Sequence, residues 1–327
     1  MVMTMFQFTA NLIITERAKQ FLNSGHGLFL LLFVLLMIAI PTAYFQFKKK
    51  NAEFETEWLK QLYASNLPDE VYNIINLDFL SAPFRYKIFN KFKFADTIRA
   101  SQNSILFRMV SRDNNESHTL KIIEKEKYIS HDLEELMQIN HPNIERIFQK
   151  FETPSHFYLV KSYAHGEILF DYIHQSDRYG EESVISITQQ LLAALQYLHE
   201  FKPAVVYREI TPDNIIISKD AKITLMDLDT TKRKTVDMKN NTYYLASKGF
   251  AAPELFGLLP PDERTDIYAL GATLFFVVTK QIPTREALEY FEQNPEDWPS
   301  SKKMLNTIKK CMAFDPAERF QNINEFG

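Results

Sequence analysis

Tyr207-Arg208-Glu209-Ile210-Thr211-Pro212-Asp213-Asn214-Ile215 is the stretch on which the reading of this chain turns. It is dense in charged and amide side chains, and Asp227-Leu228-Asp229 follows thirteen residues after Asn214. Further on come Gly249-Phe250-Ala251-Ala252-Pro253-Glu254, then Asp266-Ile267-Tyr268-Ala269-Leu270-Gly271-Ala272-Thr273-Leu274, and last Asp315-Pro316-Ala317-Glu318-Arg319. Before it, strand-like runs occupy 104–110 and 118–123, a helical pattern covers 131–139, and strands return at 144–151 and 157–162. After residue 168 the chain turns helical, with apolar residues at helical spacing over 184–199 and 265–278. A strand-rich first part followed by a helix-rich second part predicts an α+β, two-lobe arrangement.

Taken singly, Asn214 reads as a turn-capping amide and Asp227 as a surface carboxylate. Taken together, the motifs carry a resemblance. Residues 207–215 resemble the catalytic loop of protein kinases, and Asp227-Leu228-Asp229 resembles their Mg-binding Asp-Phe-Gly. The 249–254 stretch resembles the close of the activation segment. The 266–274 stretch looks like the buried helix whose Asp anchors the catalytic loop. The 315–319 stretch resembles the late motif whose Arg pairs with Glu254. Five motifs in order are specific where one alone would be weak. The wording is similar to bacterial membrane-anchored Ser/Thr kinases, and the likeness runs from about residue 85 to the end.

The resemblance implies a β-rich N-lobe, an α-helical C-lobe, and ATP and Mg as cofactors. Phosphoryl transfer is mostly positioning and charge neutralisation. Lys121, in Thr119-Leu120-Lys121-Ile122, matches the third-strand lysine that holds phosphates. Asn214 and Asp227 match the two Mg ligands, and oxygen donors beside phosphate are what Mg demands. Tyr163 and Ile216 match positions that border the adenine. Leu136, Ile147, Tyr207 and Leu228 match the side chains that stack through both lobes.

Six departures stand against this frame. The glycine-rich loop is missing: its positions fall on Arg99, Ser101 and Ser104. Side chains there loosen a phosphate cradle that glycine backbone would form closely, although Arg99 offers a contact to an anion. The helix carboxylate that pairs with Lys121 falls on Asp132, with Glu134 or Glu135 as substitutes if the helix shifts. The catalytic Asp is Glu209, whose carboxylate is displaced by roughly an ångström, a shift that costs about 10²-fold in a positioned site. The loop lysine is Thr211, a loss comparable to removing one transition-state donor, ~10²–10³. Lys161, in Leu159-Val160-Lys161-Ser162-Tyr163, stands where an apolar or small residue borders the adenine pocket. If buried, its ammonium needs a partner, with Asp132 or a ligand phosphate as candidates. Asp229 replaces a glycine.

Composition bounds the rest. The 327 residues are 46% hydrophobic and 24% charged, which describes a chain with a sizeable core. A net charge of -4 supplies no basic field for nucleic acid. The lone cysteine, Cys311, builds no disulfide framework. Residues 27–47 carry no charge and are long enough to span ~30 Å of hydrocarbon as a helix. Lys48-Lys49-Lys50 follows directly and favours the cytoplasmic side for everything after it.

The expected organisation is a non-cytoplasmic segment at 1–26, a membrane helix at 27–47, a juxtamembrane linker at 48–84 with a short helix at 53–63, and a protein-kinase-like domain at 85–327. The expected function is a single-pass, membrane-anchored pseudokinase that binds nucleotide or scaffolds a cytoplasmic or membrane protein. The alternative is a divergent Ser/Thr kinase with Glu209 as its base.

Overall fold

The computed structural model describes residues 25–65, 67–100, 104–127, 133–175, 181–228, 249–256 and 260–326. Ser101, Asp132 and Asp229 lie outside the described residues, as do residues 1–24 and the hydroxyl-bearing stretch 230–247. The chain forms two compact units: residues 1–66 with 83–93, and residues 67–82 with 94–327.

The first unit is built on α1 (Gly25–Tyr63), a single helix of 39 residues. Between Leu32 and Lys50 none of its residues is buried, and Met37 and Ile40 are about 60% exposed. An apolar helix without a polar face is not a stable surface helix in water. This one is long and apolar enough to cross a membrane. Pro41 sits inside it, and the next residue, Thr42, donates its hydroxyl to the Ile38 carbonyl at 2.6 Å. The short helix expected at 53–63 is the far end of α1, because no glycine or proline follows Pro41 to stop the helix. There Trp58 and Leu62 become buried. Trp58 meets Phe89 of α3 (Arg85–Lys91) at 5.4 Å between ring centroids, and Arg85 lies 3.6 Å from Glu55.

In the second unit, residues 67–82 are not a free linker. They form α2 (Asp69–Ile74), which runs on as a π-helical turn over Ile75–Phe79. Val71, Ile75 and Phe79 are buried, and the Phe79 ring stacks on Tyr158 at 5.4 Å. Asp78 accepts hydrogen bonds from Thr153 Oγ1 at 2.9 Å and Ser155 Oγ at 2.7 Å, and also pairs with His156.

Five strands follow: β1 (Phe92–Ala100), β2 (Ser104–Ser111), β3 (Ser117–Glu124), β4 (Ile147–Glu152) and β5 (His156–Ser162), in the sheet order β1-β2-β3-β5-β4. In β2 burial alternates residue by residue, with Ile105, Phe107 and Met109 inside, as a half-buried strand requires. Each predicted strand is present within a few residues of its expected limits. Only one turn of the helix expected at 131–139 is assigned, α4 (Leu133–Leu136), and its first two residues lie outside the described ones.

The helix-rich part opens with β6 (Glu167–Ile168), α5 (Leu169–Gln175) and α6 (Glu181–His199). A small sheet joins β6 to β7 (Ile215–Ile217) and β8 (Ile223–Leu225). Then come α7 (Glu263–Thr279), α8 (Arg285–Gln293) and α9 (Lys302–Cys311). Helix α7 is buried on nearly every side and serves as the axis of this part. Its N-terminus is fixed by a reciprocal cap: Asp262 accepts from the Arg264 N–H, and the Asp262 N–H donates to Thr265 Oγ1. Leu136, Ile147, Tyr207 and Leu228 are all buried in one apolar core. The α+β, two-lobe arrangement expected from the sequence is the one observed.

Candidate active site

Two loops reach the site, and each contains a non-glycine residue with left-handed backbone: Arg208 at φ 70° and Asp227 at φ 56°. Such a conformation costs roughly 1–2 kcal/mol for an L-residue. It persists where surrounding contacts over-determine it. In both loops a carboxylate from another element accepts the strained residue's N–H. Asp266, fully buried on α7, accepts from Arg208 N at 2.6 Å and Tyr207 N at 2.8 Å, and pairs with His199 Nε2 at 2.8 Å. Glu145 accepts from Asp227 N at 3.2 Å. The two loops are also tied to each other. Met226 N donates to the Asn214 carbonyl at 2.9 Å, and Tyr207 Oη donates to the Met226 carbonyl. Thr273 Oγ1 on α7 donates to the Ile210 carbonyl at 2.8 Å.

The loops open on a cleft of about 610 Å³. Its lining includes Arg99, Tyr163, Glu209, Asn214, Ile216 and Asp227, all of them anticipated from sequence. Thr211 and Asp213 line it as well. Burial and the Asp171 carboxylate push the Asp213 carboxyl up, and the Arg99 guanidinium opposes them. Asn214 Nδ2 donates to the Glu209 carbonyl at 3.1 Å, which fixes the amide within the loop.

Glu145 and Asp227 of the lining belong to a cluster of charges with Lys121 and Lys161, which are not themselves lining residues. Lys121 on β3 faces Leu159 on β5, and Thr119 faces Lys161. Residues two apart on a strand share a face, so Lys121 and Lys161 are diagonal neighbours on one side of the sheet. Both are buried, at 3% and 1% exposed. Two ammonium groups so placed demand counter-charges. Asp227 Oδ1 lies 2.7 Å from Lys121 Nζ and 3.4 Å from Lys161 Nζ. Glu145 Oε2 lies 2.6 Å from Lys161 Nζ. Burial pushes the Asp227 carboxyl up, but the Lys121 and Lys161 ammonium groups outweigh it and hold it far below the usual carboxylate range.

Among the described residues, the carboxylates that hold the Lys161 ammonium are Glu145 and Asp227; Asp132, the protein group expected there, lies outside the described residues. Glu134 pairs with Lys150 at 2.7 Å. Glu145 itself was missed. In Ile144-Glu145-Arg146-Ile147 it reads as an outward charge on a strand expected at 144–151, yet β4 begins only at Ile147. Ile144 instead makes an isolated parallel bridge to Leu225, which turns Glu145 inward. The signal available was Lys161: a buried lysine requires a buried carboxylate.

Comparison with known proteins agrees with this geometry. The sequence matches the protein kinase domain over residues 96–325. It is similar to sperm motility kinase 3A and sperm motility kinase 1 of Mus musculus, 31% identical to each over 169 residues. That stretch is 50% of this chain and 33% and 34% of theirs. The chain thus spans about a third of the length of these curated relatives. The crystal structure of Rad53 1–466 in complex with AMP-PNP is similar in fold, with TM-score 0.60 and 22% identity over 73% of this chain and 64% of that one. The bacterial affinity expected from the motif wording finds no support in these matches. With the family match covering well over half of its residues, this chain belongs to the protein kinase domain family.

Proposed function

We propose that this chain is a membrane-tethered protein-kinase-fold module that binds a nucleoside triphosphate and has weakened phosphoryl transfer. The observation that carries the binding half is the Lys121–Asp227 pair, 2.7 Å apart, whose Asp227 lines the cleft together with Asn214. The donor set fits ATP with Mg: an ammonium for phosphate, and carboxylate and amide oxygens for a hard dication. Lys121 would hold the phosphates, and Asp227 and Asn214 would hold the metal. Bound Mg would supply charge neutralisation for the transferring phosphoryl group.

The weakened transfer rests on Glu209 and Thr211. Thr211 brings no positive charge to the cleft, and Glu209 carries its carboxylate on a longer arm than aspartate. One observation favours a second reading, an active Ser/Thr kinase: Glu209 lines the same cleft as Asn214 and Asp227, where a base would be needed. The exposed apolar half of α1 supports the tether. The tract Lys48-Lys49-Lys50 supports a cytoplasmic position for the residues that follow. A protein partner in the cytoplasm or membrane belongs to the same proposal.

The test is calorimetric titration of ATP into the detergent-solubilised full chain. Binding that is lost in Lys121→Ala and Asp227→Ala supports a working nucleotide site; no binding at millimolar ATP overturns it. A phosphate-transfer assay comparing the wild type with Glu209→Ala then separates the two readings. Equal, near-background rates favour the weakened module, and a rate abolished by the substitution favours the active kinase.

A further inference from the structure

Against the cleft-lining carboxylates Glu145 and Asp227 lie two lysines, where the family resemblance called for one. Lys161 is the added charge. It is 1% exposed, cannot reach water, and is fixed at 2.6 Å by Glu145, whose side chain is itself 6% exposed. The same Glu145 oxygen accepts the Asp227 N–H at 3.2 Å. Glu145 therefore positions Asp227 through its backbone while Lys161 reaches the Asp227 carboxylate at 3.4 Å. Among these four side chains the charges sum to zero.

That balance bears on metal binding. A dication approaching Asp227 meets a carboxylate already shared by two ammonium groups. It must displace one of them or sit beside both. Lys121 can turn toward a phosphate. Lys161 is held in place by Glu145, and its strand is hydrogen-bonded on both sides, by β3 and β4. We propose that Lys161, locked by Glu145, is a resident cation of the nucleotide site. It supplies at Asp227 the positive charge that a divalent ion would otherwise bring, so a nucleoside triphosphate binds here with little dependence on magnesium. The inference rests on the reading of this cleft as a nucleotide site and deepens it.

The test measures ATP affinity of the detergent-solubilised full chain by calorimetry, once with excess Mg and once with EDTA. For the wild type the two dissociation constants should agree within about threefold. The informative variant is the double substitution Lys161→Met with Glu145→Val, which removes both buried charges together. Lys161→Met alone would strand the Glu145 carboxylate and risk the fold. In a double variant that melts cooperatively, Mg should tighten ATP binding by about tenfold or more. A purely structural role for the pair would leave that ratio unmoved. Mg dependence of about tenfold in the wild type, or an unchanged ratio in the double variant, overturns the resident-cation proposal while leaving the nucleotide site standing. Failure to bind ATP in either buffer overturns the nucleotide reading itself, and this inference with it.

Discussion

Arg319 grips Glu254 with two hydrogen bonds, Nη1 to Oε1 at 2.7 Å and Nη2 to Oε2 at 2.9 Å, and both side chains are buried. The guanidinium also donates to the carbonyls of Ala313, Arg264 and Phe314, so it ties the 249–254 stretch to two other segments. Thr265 Oγ1 donates to the same Glu254 carboxylate at 2.8 Å. Removing one member of a buried pair leaves an uncompensated charge. Arg319→Ala should destabilise the chain by ~3–5 kcal/mol, and Arg319→Met with Glu254→Leu should recover part of the loss. Denaturant midpoints of the two variants check this. Equal losses would mean that the pair is not electrostatically coupled.

Asp266 is the acceptor for two adjacent amides, Tyr207 N and Arg208 N. Asp266→Ala would leave both N–H groups buried without that acceptor, at ~1–3 kcal/mol each. Thermal unfolding should report the loss. Hydrogen exchange should show lowered protection at Tyr207 and Arg208 first, because the left-handed Arg208 loses the contact that holds it.

Gly271 lies on α7 where α9 crosses it. A Cβ added there would meet the Cys311 Cβ at 2.5 Å and the Met312 Cγ at 3.1 Å. On an exposed helix Gly→Ala stabilises by up to ~1 kcal/mol. Here overpacking should reverse the sign, and Gly271→Ala should cost ~1–3 kcal/mol. A raised melting temperature would show that the α7–α9 contact yields easily.

Asp78 fastens residues 67–82 to the β4–β5 turn. Burial pushes its carboxyl up, but hydrogen bonds from Ser155, Thr153 and His156 outweigh this and hold it below the ordinary 3.8. The unfolded chain therefore takes up the proton first as pH falls. The contribution of Asp78 is complete above about pH 3.8 and is lost as the pH drops below it, toward the folded-state value. The stability gap between wild type and Asp78→Asn should be widest near neutrality and shrink in acid. Denaturant titrations at neutral pH and near pH 3.5 measure it. A gap independent of pH would mean that the carboxylate charge plays no part in the docking.

Much of the site was legible along the chain. Asn214, Asp227 and Glu209, which line one cleft, and Lys121, which pairs with Asp227, were legible because the family's motifs set residue types at fixed spacings, and those spacings survive in one dimension. Arg99, Tyr163 and Ile216 came with the same frame. The strands were legible from alternation, as in β2, and α6 and α7 from helical periodicity. The limits that went wrong were those set by tertiary contact. The helix expected at 53–63 is part of α1, and residues 67–82, expected as linker, are packed against Tyr158. Nothing local in those stretches announces a neighbour many residues away.

The sequence by itself determined that the chain has a protein kinase fold and an apolar helix ahead of it, and that several positions in the family's motifs carry unusual residues. Motif spacing and hydrophobic period are properties of the chain, and they need no folding to be read. Only the tertiary structure decided what the unusual residues do together. Glu145 and Asp227 are 82 positions apart, yet one carboxylate accepts the other's N–H. Lys161 meets both because strand register puts it on the face of Lys121 and because the bridge at Ile144 turns Glu145 inward. A buried charge fixes its partner by electrostatic necessity, but which carboxylate comes within reach is decided by packing.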